Sequence, residues 1–131
     1  MKIAALVARV LLGLIFLVFG LNFFFPFLHM AQPPMSKEAT AFSGGLWGSH
    51  YFFQYMKVIE IVSGLFLLIN RYTAFFLLML LPISLNIFLF HTILVPSGAP
   101  LGIAVLVLNL FLCIAYIKYY TSVFTAKPKV G

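Results

Sequence analysis

The sequence predicts an all-α integral membrane protein, a four-helix bundle with antiparallel neighbouring helices. Of its 131 residues, 64% are hydrophobic and only 8% are charged, and the mean hydropathy is +1.17. Soluble domains carry about 25% charged residues, so this composition excludes an ordinary soluble domain. The chain has room for four apolar segments of about 20 residues, which predicts one transmembrane domain over residues 1–131.

Each apolar segment is expected to be a helix, because an open strand would leave its backbone polar groups unpaired in lipid. The predicted helices cover about residues 4–25, 51–69, 73–95 and 99–117. An outer loop, residues 26–50, joins the first two helices, and Ser36 is expected to cap one or two helical turns within it. Asn70 and Arg71 predict a tight turn, and residues 118–131 form a tail.

The basic residues predict an orientation with both termini in the cytoplasm, as in a bacterial-type inner membrane. Arg9 and Lys57 lie within predicted helices and are not counted. Of the other basic residues, this arrangement places five on the cytoplasmic side: Lys2, Arg71, Lys118, Lys127 and Lys129. Only Lys37, next to Glu38, remains outside. The net charge of +6 therefore indicates topology control and attraction to anionic lipid, with no nucleic-acid partner.

Lys57 and Glu60 lie one turn apart in the second predicted helix and are the most informative residues of the chain. A central charge costs about 2.5–3.5 kcal/mol of insertion free energy, whereas a large apolar residue contributes about 0.3–0.6. This helix should therefore insert poorly alone. The face that carries both charges and Gly64 is expected to point into the bundle, where Gly64 permits close packing.

Depth arithmetic suggests partners for this pair. From the cytoplasmic boundary, Arg9 lies at about 9 Å, Asn109 at about 15 Å and Glu60 at about 16 Å, with Lys57 near 20 Å and Asn86 near 22 Å. We therefore predict a buried layer in which Arg9 and Lys57 hold Glu60, and the two asparagines complete the hydrogen bonds. Two alternatives stay open: the asparagines serve only as packing contacts worth about 0.6 kcal/mol, or Arg9 extends to the interface.

The first and fourth predicted helices each carry a stripe of residues at helical spacing that includes small and polar side chains. The first comprises Arg9, Gly13, Phe16 and Gly20, and the second comprises Gly102, Leu106, Asn109 and Cys113. Residues at this spacing share one helix face, so both stripes are expected to pack inside the bundle.

Further candidates lie toward the outer end. His91 lies about 30 Å from the cytoplasmic boundary. It is expected either to bind a quinone headgroup or carry protons, or to cap interfacial polar groups. Trp47 is a candidate for ligand binding, although its position favours an interfacial aromatic belt. Pro82 predicts a kink. His29 and His50 lie near the level of His91, but they lack helical ligand spacing, so no metal is predicted.

Three segments resemble the DoxX family of small four-helix membrane proteins. They are ARVLLGLIFLVFGLN at residues 8–22, KVIEIVSGLFLLINR at residues 57–71 and PISLNIFLFH at residues 82–91. The shared elements are an early arginine, Lys-x-x-Glu followed by a glycine and an arginine turn, and Pro-x-x-x-Asn before Phe-His. The resemblance implies a quinone- or sulfur-linked redox role in a membrane complex.

With this resemblance, the protein is expected to be an accessory or quinone-interacting component of a membrane redox or stress-response complex. Its working residues are expected to be Arg9, Lys57, Glu60, Asn86, His91 and Asn109. It shows no self-sufficient catalytic motif and no evident cofactor site, so oxidoreductase activity would require a bound quinone or a partner subunit. Two rivals are a small proton-coupled transporter that uses Glu60, with Pro82 as hinge, and a structural subunit. A homodimer is compatible with so small a bundle.

Overall fold

The computed structural model describes residues 1–28 and 34–131, so His29 lies outside the described residues. Within those ranges the chain is helical and contains no strand, which confirms the all-α class. The α-helices, in chain order, are α1 (Lys2–Phe24), α2 (Lys37–Gly48), α3 (Phe52–Leu68), α4 (Thr73–Leu89) and α5 (Ala99–Ala115). Three short segments complete the described structure: a π-helical turn at Phe90–Leu94 and 3₁₀ turns at Pro96–Gly98 and Ile117–Tyr120.

Three helical segments are long and apolar enough to cross a membrane, namely Lys2–Phe24, Thr73–Leu94 and Pro96–Ala115. The helices α2 and α3 meet the same criterion only as a pair, and the chain bends by 86° between them. By itself α3 has 17 residues, a length of about 25 Å against about 30 Å of hydrocarbon. The helix with both charges is therefore shorter than the three segments that are long enough by themselves, which have 20 to 23 residues.

Four helices pack side by side around one core. The most extensive contacts join α1 to α3 and α4 to α5, and contacts of α3 with α4 and of α1 with α5 connect these two pairs. Large apolar side chains with no more than 1% exposure fill the centre: Leu12, Phe16, Leu67, Leu77, Leu80, Val105 and Leu112. The short helix α2 instead contacts α3 and the π-helical turn.

Glycines allow α1 and α3 to approach backbone to backbone. A Cβ atom at Gly64 would lie 2.7 Å from the Gly13 carbonyl oxygen and 2.8 Å from the Leu17 nitrogen. At Gly20 a Cβ atom would lie 2.6 Å from Ile61 Cγ1. Arg9, Gly13, Phe16 and Gly20 are all buried in α1. The predicted α1 stripe and the predicted close packing at Gly64 are both confirmed.

The connections follow the turn chemistry of the sequence. Asn70 and Tyr72 adopt positive φ angles between α3 and α4, and Asn70 Oδ1 accepts a hydrogen bond of 2.7 Å from the Thr73 hydroxyl. Ser36 caps α2 by accepting from the Ala39 backbone N–H at 3.1 Å, as predicted. The helix that follows Ser36 is longer than the expected one or two turns, because it continues through Gly44 and Gly45.

Candidate functional site

A cavity of about 600 Å³ opens where α2 covers α3 and the end of α4. We call it the aromatic cavity. Its aromatic and other large apolar lining residues are Phe23, Met35, Phe42, Leu46, Trp47, Phe53, Met56, Ile87 and Phe90. Its polar lining side chains are Thr40, Ser43, Lys57, Asn86 and His91. The structure thus brings together four of the sequence-predicted candidates: Trp47, Lys57, Asn86 and His91.

The aromatic rings that line the cavity come from distant parts of the chain. The Trp47 ring of α2 lies 5.9 Å from Phe23 of α1 and 6.1 Å from Phe53 of α3, measured between ring centroids. Phe42 of α2 lies 5.9 Å from Phe90 at the end of α4. Such edge and tilted aromatic pairs stabilise the contact beyond the burial of their area. They hold α2 against the other helices despite its sharp bend from α3.

His91 is oriented by the backbone of its own helix. Its Nδ1 lies 2.8 Å from the carbonyl oxygen of Ile87, and because a carbonyl only accepts, Nδ1 carries the proton and donates. In the neutral imidazole, Nε2 is therefore the acceptor. Gly98 and Gly102 pack against the same side chain, since a Cβ atom at either position would lie within 3.1 Å of it. His91 therefore has a defined tautomer when it is neutral.

Asn86 and His91 line the same cavity, although an ideal α-helix would separate them by 140°. The α-helix ends at Leu89 and continues as the π-helical turn, in which Val95 N–H bonds to the Phe90 carbonyl. A π-helical turn has i→i+5 hydrogen bonds; His91 lies within this turn, whereas Asn86 lies in the α-helix before it. Pro82 lies inside α4, which is helical on both sides of it, and the kink at Pro82 stays a prediction.

Glu60 lies inside the bundle, with 2% of its side chain exposed. Its Oε1 is 3.4 Å from Nζ of Lys57, whose side chain is 21% exposed and lines the aromatic cavity. The second carboxylate oxygen, Oε2, and the hydroxyl of Ser63 have no hydrogen-bond partner among the described residues. The prediction that Glu60 faces the interior with a cationic partner is confirmed. Lys57 connects the buried carboxylate to the cavity.

The prediction of a single buried polar layer is wrong, because Arg9, Asn86 and Asn109 do not form hydrogen bonds with Glu60. Arg9 is buried, but its Nη1 donates to the carbonyl oxygens of Leu67 and Leu68, at 3.2 Å for Leu68. The Arg9 guanidinium therefore caps the C-terminal end of α3 and does not make the predicted contact with Glu60. A helix end leaves unpaired carbonyls, and these are closer partners for Arg9 than a carboxylate two turns deeper.

The asparagines also have different surroundings from those predicted. Asn109 is fully buried and donates from Nδ2 to Ser84 Oγ at 2.8 Å, while its Oδ1 accepts from Cys113 Sγ at 3.5 Å. It joins α5 to α4. Asn86 is exposed along the cavity. The geometry of Asn109 thus agrees with the alternative in which asparagine serves as a packing contact between helices. The Asn86 side chain is instead accessible to a ligand in the cavity.

Sequence reasoning missed the contribution of α2 to the site. Phe42, Ser43 and Leu46 line the cavity, whereas the sequence predicts an outer loop over residues 26–50 with only one or two helical turns after Ser36. A signal was present, because Phe42 and Leu46 lie four residues apart after the Ser36 cap and so share one helix face. Gly44 and Gly45 obscured this pattern, since glycine is unfavourable inside helices.

In residues 1–28 and 34–131, no three histidine, cysteine, aspartate or glutamate side chains are grouped as a metal site would require. The described fold is an all-helical one with apolar helices of membrane-spanning length, a buried ion pair and an adjoining aromatic cavity. Comparison with family models, with curated proteins and with solved structures gave no match.

Proposed function

We propose that this chain is a DoxX-like four-helix protein of a bacterial-type inner membrane that binds a quinone-class ligand in the aromatic cavity. It would act as an accessory component of a membrane redox or stress-response complex. The single observation that carries the proposal is the convergence of Lys57, Asn86 and His91 on one aromatic-lined cavity. Any electron transfer would involve the bound quinone and a partner subunit.

The size and chemistry of the cavity support this ligand class. A volume of about 600 Å³ falls within the roughly 300–1,000 Å³ of small-molecule sites, and an apolar lining with few polar groups is typical of them. A quinone ring is flat and apolar, and its two carbonyl oxygens only accept hydrogen bonds. The Lys57 ammonium and the Asn86 amide are donors, and Nε2 of neutral His91 can accept from the hydroxyl of a quinol.

The distribution of charge supports the proposed orientation with both termini in the cytoplasm. Lys2 and Lys118 line one cavity at the beginning of α1 and the end of α5. The aromatic cavity lies near the opposite end of α1, where Phe23 lines it. An excess of lysine and arginine marks the cytoplasmic side of a membrane protein.

Trp47 provides a direct test of binding, because it is the single tryptophan of the chain and lines the cavity. We expect a short-chain ubiquinone analogue to quench its fluorescence saturably in detergent or nanodiscs. Asn86→Leu should weaken the quinone affinity by about tenfold, the typical effect of losing one hydrogen bond of about 1.5 kcal/mol.

Gln54→Leu is the matched control, because Gln54 is also an exposed amide in a helix but does not line the cavity. It should leave the quinone affinity unchanged. Non-saturable quenching, or an equal loss of affinity in both variants, would remove the support for a quinone site. Extraction of the gently purified protein followed by mass spectrometry should also recover quinone.

A small proton-coupled transporter is the second candidate, favoured by the orphaned Oε2 of buried Glu60. A buried ionisable group beside a cavity is typical of intramembrane proton sites. Under this alternative, proteoliposomes would show a pH-dependent flux that Glu60→Gln abolishes. Saturable quinone binding without such a flux would favour the first candidate.

A further inference from the structure

A second cavity, of about 410 Å³, lies at the end of the bundle where α1 begins and α5 ends. Three cationic side chains line it, Lys2, Arg9 and Lys118, together with the polar side chain of Asn70. We call it the basic cavity. It shares no lining residue with the aromatic cavity and has no part in the proposed quinone site.

The cations of this cavity lack a carboxylate partner within the chain. The whole sequence contains two acidic side chains, Glu38 and Glu60. Glu60 pairs with Lys57, and Glu38 belongs to α2, which covers the opposite end of the bundle. Like charges that share a cavity repel one another, and an anion from outside the chain would remove this repulsion.

Arg9 adds charge deep inside the basic cavity. Its side chain is buried, and its described hydrogen bonds are to the neutral carbonyls of Leu67 and Leu68. Carbonyls at a helix C-terminus carry only a partial negative charge, so they compensate the full positive charge of the guanidinium incompletely. A guanidinium has five N–H donors, and phosphate is a preferred partner for it.

Exposed apolar side chains lie in or next in sequence to the lining of the basic cavity. Leu6 lines it and is 50% exposed, and Ile114 and Ile117, each 62% exposed, flank the lining residues Ala115 and Tyr116 in the chain. Tyr119 also lines it, with Lys118 Nζ placed 5.1 Å from the centre of its ring. A ligand that fits this surface has an anionic group for the cations and hydrocarbon for the surrounding leucine and isoleucines.

We propose that the basic cavity binds the phosphate group of an anionic phospholipid. Lys2 and Lys118 contact the phosphate oxygens, and Arg9 supplies the buried positive charge beneath them. The acyl chains lie along the exposed apolar side chains near Leu6 and Ile114. Basic pockets at the ends of transmembrane helices suit such headgroups, and each lysine near the lipid surface strengthens the attraction.

Native mass spectrometry of the full chain, titrated with phosphatidylglycerol or phosphatidylcholine, tests this site. The wild type should retain phosphatidylglycerol in preference to phosphatidylcholine. Lys2→Gln combined with Lys118→Gln should weaken phosphatidylglycerol binding by about 25-fold, from about fivefold for each lysine. Replacement of both lysines by arginine should preserve binding.

Lys127→Gln combined with Lys129→Gln is the control, because it removes the same charge from tail residues that do not line the cavity. Its effect should stay below about threefold, as expected for screened exposed charges. Equal weakening by the two double variants, or equal binding of both lipids, would overturn the proposal. Quinone quenching of Trp47 should be unchanged in all these variants, which separates this test from that of the aromatic cavity.

Inorganic phosphate distinguishes a lipid from a free anion. Thermal unfolding is measured in phosphatidylcholine nanodiscs with added phosphate, with sulfate as a control for ionic strength, or with phosphatidylglycerol. We expect phosphatidylglycerol to raise the unfolding temperature and phosphate to leave it near the sulfate value. Stabilisation by phosphate equal to that by phosphatidylglycerol would identify a free phosphate as ligand and overturn the lipid assignment.

Discussion

Lys57 Nζ lies 3.4 Å from Glu60 Oε1, and the two side chains differ sharply in exposure, at 21% and 2%. The ion pair therefore connects an interior carboxylate to a cavity that a ligand can enter. The carboxylate has one cationic partner within ion-pair distance among the described residues, and its other oxygen is unpartnered. This geometry makes Glu60 sensitive to any change at Lys57.

We expect Lys57→Met to destabilise the bundle by about 2 kcal/mol, because it leaves Glu60 buried without its cation. Glu60→Gln combined with Lys57→Met should recover much of that loss, since no charge then remains unpaired. Thermal unfolding in a fixed detergent measures both. If the single and double variants unfold at the same temperature, the ion pair does not stabilise Glu60.

Gly64→Ala should destabilise the protein by about 1–3 kcal/mol, because its Cβ would meet backbone atoms of Gly13 and Leu17 and force α1 away from α3. Gly45→Ala is the matched control, since a Cβ atom there has no neighbour within 4 Å. It should be neutral or slightly stabilising, because alanine favours helix over glycine. Equal unfolding temperatures for the two variants would contradict the close approach at Gly64.

Replacement of Arg9 tests the cap at the end of α3. Arg9→Met should cost about 2–3 kcal/mol, because the carbonyls of Leu67 and Leu68 lose a charged donor. Arg9→Lys should cost less, since it keeps one charged donor. Hydrogen exchange should increase at the last turn of α3 in Arg9→Met. Increased exchange near Glu60 alone would instead indicate a contact between Arg9 and Glu60.

Tyr120 should make the stability fall at alkaline pH. Its hydroxyl donates to the Ala74 carbonyl at 2.7 Å, and burial raises the pKa of Tyr120 well above its usual value. A pKa raised by folding stabilises the protein below the unfolded value of about 10, and that contribution is lost as the pH rises above it.

Tyr120→Phe should therefore cost about 1 kcal/mol at neutral pH and show a smaller further loss between about pH 10 and 12. Unfolding temperatures at several pH values measure the difference. Tyr119→Phe is the control, because the Tyr119 side chain is largely exposed. Identical alkaline profiles for wild type and Tyr120→Phe would assign the pH effect to other groups.

Much of the fold was predictable because it depends on local pattern. The described helices begin and end close to the predicted limits, as for α3 at Phe52–Leu68 against residues 51–69. The Asn70 turn and the Ser36 cap also depend on neighbouring residues in the chain. The helix beyond Phe42 was missed because its glycines lower local helix propensity, whereas contacts with α3 and Phe90 hold it in place.

The candidate site was predicted less completely than the fold. Depth along a helix axis placed Asn109 level with Glu60 and Arg9 within side-chain reach of Glu60, but depth does not determine rotation or lateral distance. Arg9 instead donates hydrogen bonds to carbonyls at the end of α3, and Asn109 donates to Ser84 on the neighbouring helix. The π-helical turn, which has no clear signal in a single sequence, accompanies the placement of His91 beside Asn86.

The sequence by itself determined the all-α class, the inward face of Glu60 and the close packing at Gly64, because hydropathy, charge cost and helical spacing act along one chain segment. Only the tertiary structure decided which partners the polar side chains meet and that α2 encloses a cavity with Lys57. Those outcomes depend on how helices are offset and rotated against each other, and side chains distant in sequence fix these quantities together.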